Sequence, residues 1–340
     1  MRTINFILSA AAVLFLMSCE EDPTSANFSN GLRSIKLYNL NSNSVSKIED
    51  VNNVVYDCVF KDSSNFVYAT FYHAVGELVA RNLYSHYGGS NYFEGGPIYD
   101  IKLYPEITTI FLTASDGIYS VNEYDQLVSN LTKNYGASFA GPVFISSMNS
   151  LTYGNTLILE TNDGVIISQN LESAIIDTLL IVRGKMVIPI FSTADGTHLI
   201  YTETDFSSND VAIKSLNLFD LQDIKTLTSS IPISRLGKNR SVNDKIVFTS
   251  KGTVYVLELN TGNILNVATS GQFADISNDG QKVVFTTGSE MYLINSDGTN
   301  QKKLISKSAE NKYVFLPSFS SNDEQIVLVE SDYYYGYYSQ

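Results

Sequence analysis

The histidines are the first residues to consider for metal binding or acid–base catalysis. There are three, His73, His86 and His198, and none lies in the His-x-His or His-Glu-x-x-His spacing that metal sites use. The stretch "NSDGTNQKK" (295–303) begins with oxygen ligands but lacks the closing Glu of a calcium loop. We therefore predict no metal site and no bound cofactor.

Nucleophilic chemistry has equally little support. "GASFAG" (136–141) only approximates the turn that presents a catalytic serine, and the chain has no room for the separate α/β domain that such a turn requires. Cys58 lies within the apolar run "VVYDCVF" and is predicted to be a buried, inert thiol. We assign no catalytic residue, so whether the protein is an enzyme stays open, with binding favoured.

Aromatic residues next to glycines and acids are better candidates, because they can stack on sugars or anchor a partner protein. The stretch "YSHYGGSNYFEGG" (84–96) is the richest in such residues. The predicted ligand-binding residues are Tyr72, His73, Tyr87, Tyr92, Phe93, Asp205 and Phe206. We expect these residues, and the whole stretch 84–96, to lie in loops on one face of the fold. Acids on the same face would favour a cationic protein partner; they are Asp116, Asp163, Glu203, Glu330 and Asp332.

The elements that would position these residues are repeated strands. A polar turn and a short apolar run, as in "SNDGQKVVF" (277–285), recur at intervals of 37 to 48 residues. The runs end at Tyr68, Phe111, Leu159, Tyr201, Phe248, Phe285 and Leu328. A second apolar strand follows most of them. A period of about forty residues with several strands in each unit indicates an all-β propeller.

The two ends of the repeat series complement each other. "SIKLYNLNSNSVSKI" (34–48) matches the outer strands "TVYVLELNTGNILNV" (253–267), but no inner hairpin precedes it. "FLPSFSSNDEQIVL" (315–328) is an inner hairpin without a clear outer pair. We predict that the N-terminal strands complete the C-terminal blade, which makes seven blades; six or eight stay open because 84–97 is irregular. "YYYGYYSQ" (333–340) is either a third strand of that blade or an exposed tail.

The best repeat copy, "ISNDGQKVVFTTGSEMYLINSDGTNQKKL" (276–304), resembles the WD-like repeats of TolB-like β-propellers. It departs from their pattern at Asn278, where a proline usually precedes Asp-Gly. The resemblance implies the propeller fold. Propellers serve as binding modules, scaffolds, lyases and hydrolases, so the resemblance does not select one activity.

The N-terminus carries a secretion and lipidation signal. An arginine is followed by the apolar stretch "INFILSAAAVLFLM", which is too short to span a membrane, and by "LMSC". The latter resembles a bacterial lipobox, which implies cleavage before Cys19 and a lipid on its thiol. We predict a signal peptide over 1–18, a lipidated tether over 19–31 and one propeller domain over 32–340. The acids 20–22 resemble a surface-export signal.

Composition narrows the class of partner. The net charge of −13 and pI near 4.6 disfavour nucleic acid, because an acidic chain repels phosphate backbones. We predict an outer-membrane lipoprotein, periplasmic or surface-facing, that is held to the membrane by the lipid on Cys19. Its propeller would bind a protein partner or a glycan without catalysis. The alternative is a lyase or hydrolase of polysaccharide fragments that uses acids on the propeller face.

Overall fold

The structure is a computed structural model that describes most of the chain between Arg33 and Asp332. The described residues are 33–72, 75–84, 89–93, 98–103, 109–114, 117–122, 128–131, 143–145, 156–161, 164–170, 175–193, 195–205, 211–229, 231, 233, 235–237, 244–306 and 312–332. Within them every regular element is a β-strand, and no helix that could cross a membrane occurs.

The strands form seven four-stranded antiparallel sheets, which we number as blades 1 to 7. Blade 1 contains β3 (Val54–Phe60), β4 (Asn65–Tyr72), β5 (Val75–Asn82) and β6 (Ser90–Phe93). Blade 2 contains β7 (Ile98–Leu103), β8 (Thr109–Ala114), β9 (Gly117–Asn122) and β10 (Val128–Asn130). Blade 3 contains β11 (Val143–Ile145), β12 (Thr156–Thr161), β13 (Val165–Asn170) and β14 (Ile176–Ile181).

Blades 4 to 6 repeat the same order from the inner to the outer strand. Blade 4 contains β15 (Lys185–Ser192), β16 (His198–Asp205), β17 (Val211–Asn217) and β18 (Ile224–Thr228). Blade 5 contains β19 (Arg235–Leu236), β20 (Lys245–Ser250), β21 (Thr253–Glu258) and β22 (Ile264–Ala268). Blade 6 contains β23 (Phe273–Ile276), β24 (Lys282–Thr286), β25 (Met291–Asn295) and β26 (Lys302–Ile305).

Blade 7 joins the two ends of the chain. Its inner strands are β27 (Tyr313–Phe319) and β28 (Gln325–Ser331), and its outer strands are β1 (Arg33–Asn39) and β2 (Ser44–Val51). β1 pairs antiparallel with β28 over its whole length, from Arg33 opposite Ser331 to Asn39 opposite Gln325. The predicted seven-bladed ring, closed by the N-terminal strands, is confirmed. β1 is the third strand of this blade. Residues 333–340, which the sequence suggested as a third strand or an exposed tail, lie outside the described part of the chain.

The repeat found in the sequence marks one structural position. All seven apolar runs lie in the second strand of their blades, which is β4, β8, β12, β16, β20, β24 or β28. A second strand has a neighbour on each side within its sheet, so its apolar residues are deeply buried; Val327 and Leu328, for example, are fully buried. A strand buried on both faces needs a continuous apolar run, and this requirement explains why the second strand gives the strongest signal.

The core is divided among the interfaces between neighbouring blades. Seven hydrophobic clusters occur among the described residues, and six of them join two adjacent blades. The seventh joins blades 7 and 1 and also includes Phe273 of blade 6. Leu199 of blade 4 packs with Ile158 of blade 3, for example, and Tyr38 of blade 7 packs with Val284 of blade 6. Because each blade buries both faces in this way, a gap anywhere in the ring would expose apolar surface.

Buried polar side chains also connect the inner strands. Oδ2 of Asp275 in blade 6 accepts the backbone N–H of Phe319 in blade 7 at 2.9 Å. Asp57 in blade 1 accepts the N–H of Ile101 in blade 2 at 3.0 Å. These bonds satisfy backbone donors that lie between two sheets, where the antiparallel ladders do not reach them.

Lys102 makes a longer link. It lies on the inner strand of blade 2, and its ammonium donates to the carbonyl of Ile190, on the inner strand of blade 4, at 3.2 Å. Burial lowers the pKa of Lys102, while the charge of Asp100 acts in the opposite direction. This lysine therefore ties together two inner strands that are not neighbours in the ring.

Candidate functional site

The strand order of the blades separates the connections onto two faces of the ring. We call the upper face the one that carries the connections from the second to the third strand and from the outer strand to the next blade. The lower face carries the connections from the first to the second strand and from the third to the outer strand. Loops on a rigid ring are the places where binding residues are most often found.

Strand register collects part of the predicted aromatic set at the upper end of blade 1. Phe71 of β4 pairs with Gly76 of β5, which in turn pairs with Phe93 of β6. Tyr92 lies beside Phe93, and Tyr72 ends β4. Tyr92 and Phe93 therefore belong to the outer strand, whereas the sequence placed them in a loop between blades. Their position at the upper end still agrees with the predicted face.

The other end of the same aromatic stretch lies on the lower face. Tyr84 follows the end of β5 and is 73% exposed. The N–H of its neighbour Leu83 donates to the carbonyl of Ser64, in the turn between the first and second strands. The expectation that the whole stretch lies on the upper face is wrong for Tyr84. Tyr87 lies outside the described residues, in the connection that leads from β5 to β6.

Asp205 lies on the upper face of a distant blade. It ends β16 in blade 4, pairs with Lys185 and is half-buried. Three steps around the ring separate it from Tyr72, Tyr92 and Phe93, so the structure does not bring the predicted set together at one point. His73, Phe206 and Cys19 lie outside the described residues.

A charged cluster that the sequence did not predict surrounds Glu203, two residues before Asp205. Oε1 of Glu203 lies 2.6 Å from the ammonium of Lys185, and Oε2 lies 2.7 Å from that of Lys214. The Glu203 side chain is 7% exposed, while the two lysines stay partly accessible. We call this arrangement of two lysines around one carboxylate a rim triad.

Blade 7 contains a second rim triad at the equivalent place. Oε1 of Glu330 lies 2.6 Å from the ammonium of Lys36 and 3.7 Å from that of Lys312. Lys36 pairs with Leu328, just as Lys214 of blade 4 pairs with Tyr201, so the two triads have the same register. Asp332 follows Glu330 at the spacing that separates Asp205 from Glu203. Blades 4 and 7 lie nearly opposite each other in the seven-membered ring.

The triads are not part of the general architecture of a blade. In the other five blades a hydroxyl residue takes the place of the glutamate, two positions beyond the end of the repeated run. These residues are Thr70, Thr113, Thr161, Ser250 and Thr287. A partly buried ion pair is weak evidence for stabilisation, and five blades fold without one. The charges on blades 4 and 7 are therefore candidates for a role in recognition.

Blade 6 presents one more acid on the upper face. Glu290 accepts a hydrogen bond from the Tyr292 hydroxyl at 2.6 Å, and its other oxygen lies 2.6 Å from the ammonium of Lys303. The hydrogen bond to Glu290 raises the pKa of Tyr292, and burial adds to the effect. Lys303 also lies over the Tyr292 ring, 5.4 Å from its centroid. Like Glu203 and Glu330, this acid is neutralised by a lysine.

The electrostatics of Glu203 do not suit a general acid. Burial raises the pKa of this carboxyl, but the hydrogen bonds and charges of Lys185 and Lys214 lower it more, and the net pKa lies below the ordinary value. A general acid needs a raised pKa so that it holds a proton near neutral pH. Glu203 is instead the ionised partner of Lys185 and Lys214. No group of three His, Cys, Asp or Glu side chains that could hold a metal occurs in the described part of the chain.

Two lysines of the triads share a sequence pattern that lies outside the second-strand repeat. "RSIKLYN" (33–39) and "VAIKSLN" (211–217) share Ile-Lys followed by Asn at the same spacing. Lys36 and Lys214 occupy that shared position. Both lysines lie on third strands, β1 and β17, so the second-strand repeat does not contain them.

Comparison with known proteins establishes the fold. No family model matches the chain, and no curated protein matches it. A solved protein from Agrobacterium tumefaciens assigned as TolB is 10% identical with a TM-score of 0.51, over 89% of this chain and 99% of that one. A chain in the crystal structure of the mitotic checkpoint complex is 12% identical with a TM-score of 0.56, over 91% of this chain and 96% of that one. This chain thus has the β-propeller fold seen in the TolB protein.

Proposed function

We propose that this protein is a lipoprotein anchored in the outer membrane by Cys19, periplasmic or surface-facing, whose propeller binds a partner protein without catalysing a reaction. The observation that supports the proposal is the upper face. It combines an aromatic end of blade 1 with charged clusters on blades 4 and 7, and these clusters are additions to the blade rather than parts of it.

A protein suits this face better than a glycan for a geometric reason. The two rim triads lie on nearly opposite sides of the ring, so only a partner with a wide footprint contacts both. A standard protein interface buries about 800 Å² on each partner, which is enough to cover much of one propeller face. One of the similar solved chains reported above comes from the crystal structure of a complex, the mitotic checkpoint complex. A glycan that stacks on Tyr72, Tyr92 and Phe93 alone is the second candidate.

The charges define what the partner must present. Each rim triad has two lysines around one glutamate, with an aspartate nearby, Asp205 or Asp332. The sequence had suggested that acids on this face favour a cationic partner. Because Glu203 and Glu330 are neutralised by their lysines, a surface of mixed charge is a better match, with carboxylates placed against Lys185 and Lys312.

The experiment is a pull-down of the tagged full-length chain from detergent-solubilised membranes, followed by affinity measurement with each recovered protein. The double variant Tyr92→Ala/Phe93→Ala is compared with Tyr84→Ala, which removes an exposed tyrosine from the lower face. Loss of an aromatic anchor costs about 2 kcal/mol, or roughly thirtyfold in affinity. We expect that loss in the double variant and unchanged binding in the control.

Other results would redirect the proposal. Equal affinity of both variants and wild type would place recognition away from blade 1. Binding of oligosaccharides that the double variant loses would favour the glycan. Release of reducing ends or unsaturated products from polysaccharide fragments by the purified chain would show the alternative, a lyase or hydrolase, and would contradict a purely binding role.

A further inference from the structure

The outer strand of blade 3 presents exposed apolar residues along an open sheet edge. β14 is the last strand of its sheet among the described residues, so its outward edge faces away from β13. Ile176 is 42% exposed and Ile181 is 59% exposed; Ile175, just before the strand, is also 59% exposed. An exposed apolar edge strand is a template for pairing with another chain.

The outer strands of three of the other six blades carry lysines, which β14 lacks. β2 has Lys47, Glu49 and Asp50, β18 has Lys225, and β26 has Lys302 and Lys303. Charged side chains on an edge oppose pairing with another sheet. The sequence of β14, "IDTLLI", has one charge, Asp177. β6, β10 and β22 have no charged residue. In β22 the one strongly exposed apolar residue is Leu265.

A bulge places both exposed isoleucines of β14 on the same face of the sheet. Ile176 pairs with Gln169, and Ile181 pairs with Val165. Residues 165 and 169 lie on one face because side chains alternate along a strand, and directly paired residues share a face. Ile176 and Ile181 are five residues apart, and they would lie on opposite faces without the extra residue, Leu179, that the bulge inserts.

Backbone hydrogen bonds of the neighbouring residues indicate that Ile176 and Ile181 direct their own N–H and C=O groups away from β13, toward the open edge. The carbonyl of Ile175 accepts the N–H of Asn170, and the N–H of Val182 donates to the carbonyl of Gly164. Residues 175 and 182 thus direct these groups inward, toward the β13 side. Along a strand the inward and outward directions alternate, so the neighbours Ile176 and Ile181 present their N–H and C=O groups to the open edge.

We propose that β14 pairs antiparallel with β14 of a second copy of this chain, with Ile176 of each copy opposite Ile181 of the other. The strand is self-complementary for this register, because its two exposed isoleucines share a face and both direct their backbone groups outward. A two-fold axis then makes both contacts at once, as an isologous interface requires. The dimer covers the exposed isoleucines and joins two blades into one eight-stranded sheet. It goes beyond the proposed function and does not depend on it.

Disulfide trapping tests the register. Residues opposite each other in a hydrogen-bonded antiparallel pair have Cα atoms about 5.5 Å apart, within the range that a disulfide spans. The full-length chain with Ile176→Cys and Ile181→Cys together is expected to form a covalent dimer on oxidation. Either substitution alone is the matched control, because the two copies of position 176 lie about 16 Å apart in this register. Oxidised wild type gives the background amount of covalent dimer that forms through Cys19 and Cys58.

Solution association tests the interface itself. We expect wild type to sediment as a dimer at micromolar concentration and Ile176→Lys/Ile181→Lys to sediment as a folded monomer, checked by its melting curve. Ile224→Lys, on the outer strand of blade 4, should stay dimeric. A monomeric wild type, a dimer that survives the double lysine substitution, or equal trapping of the single and double cysteine variants would overturn the proposal.

Discussion

The ammonium of Lys36 lies 2.6 Å from Oε1 of Glu330, and this ion pair connects the first strand of the described chain to the last. The two strands are also paired along their whole length. On the opposite face of β1, Ile35 is fully buried in the cluster that blade 7 shares with blade 1. The ring therefore closes by strand pairing, by apolar packing and by an ion pair.

The first prediction concerns this closure. Deletion of residues 31–50 removes β1 and most of β2, so it exposes the edge of β28 and the apolar surface around Phe315 and Val329. We expect aggregation or loss of the single cooperative melting transition. The control is deletion of 22–30, ahead of β1, which should melt as wild type does. A 31–50 deletion that melts as sharply as wild type would show that the ends do not close the ring.

The fold could be predicted because the propeller repeats one burial environment seven times. Each second strand lies between two others in its sheet, so runs such as "IVF" (246–248) and "VVF" (283–285) are apolar without interruption and recur at similar intervals. The closure of the ring could also be predicted from the sequence, because β1 and β2 resemble an outer strand pair and no inner hairpin precedes them. Local pattern and global fold agree at these elements.

The site was harder to predict because strand pairing brings its residues together. Their spacing along the sequence does not show that they are neighbours. Lys185 and Lys214 lie 18 and 11 residues from Glu203, and Lys36 lies at the other end of the chain from Glu330. Tyr92 and Phe93 were assigned to a loop because β6, "SNYF", is short and belongs to an outer strand. Outer strands pack on fewer neighbours, so their apolar pattern is weak.

The second prediction concerns the turn that opens the second strand of blade 6. Oδ1 of Asp279 accepts the hydroxyl of Ser277 at 2.6 Å and the N–H of Gln281 at 2.9 Å. Blade 7 builds the same turn with Asn322, which accepts the hydroxyl of Ser320 at 2.7 Å. Asp279→Ala should lower the free energy of unfolding by about 1 to 2 kcal/mol, because it removes two bonds.

Asp279→Asn is the matched control for that turn, since it keeps the acceptor that blade 7 already uses. Chemical denaturation at neutral pH should give it a midpoint close to that of wild type. Burial raises the pKa of Asp279, but the hydrogen bonds from Ser277 and Gln281 lower it more. Equal losses in the Ala and Asn variants would show that charge, rather than acceptance of hydrogen bonds, stabilises the turn.

The third prediction concerns the membrane anchor. Cys19→Ala should remove the lipid, so the protein should no longer sediment with membranes and should not incorporate a fatty-acid analogue during growth. Several acyl chains on one residue give lasting attachment, whereas a single chain binds only marginally. Cys58→Ala is the control, because that buried thiol of blade 1 should have no part in anchoring. Label that persists in the Cys19 variant would contradict the lipobox assignment.

The fourth prediction concerns the pH dependence of stability at the rim triad of blade 4. The pKa of Glu203 is lowered from its ordinary value of 4.5. A carboxyl with a lowered folded-state pKa contributes stability that is fully present above its unfolded pKa and is lost as pH falls through its folded pKa. The contribution of Glu203 should therefore be intact at neutral pH, begin to fall below about pH 4.5 and be lost once the pH passes the lower folded-state pKa.

The loss of stability at alkaline pH depends on Lys185. The hydrogen bond to Glu203 and its charge raise the pKa of Lys185 above 10.5. A raised lysine pKa contributes stability that is present below the unfolded pKa and is lost as pH rises through the folded one. The triad should thus contribute a constant stability between about pH 5 and pH 10, with losses on both sides.

The single substitution Glu203→Gln tests the loss of stability at acid pH and the loss at alkaline pH. At neutral pH we expect a loss of about 1 kcal/mol, since the triad is partly exposed and solvent weakens ion pairs. The acid limb of its melting temperature should be flatter than that of wild type, because the glutamine does not titrate. Glu290→Gln on blade 6 is the control, with a more exposed acid and one lysine, and its effect should be smaller. If Glu203→Gln keeps the wild-type acid limb, the fall in stability comes from other carboxylates, such as Asp195 and Asp297, whose pKa values are also lowered.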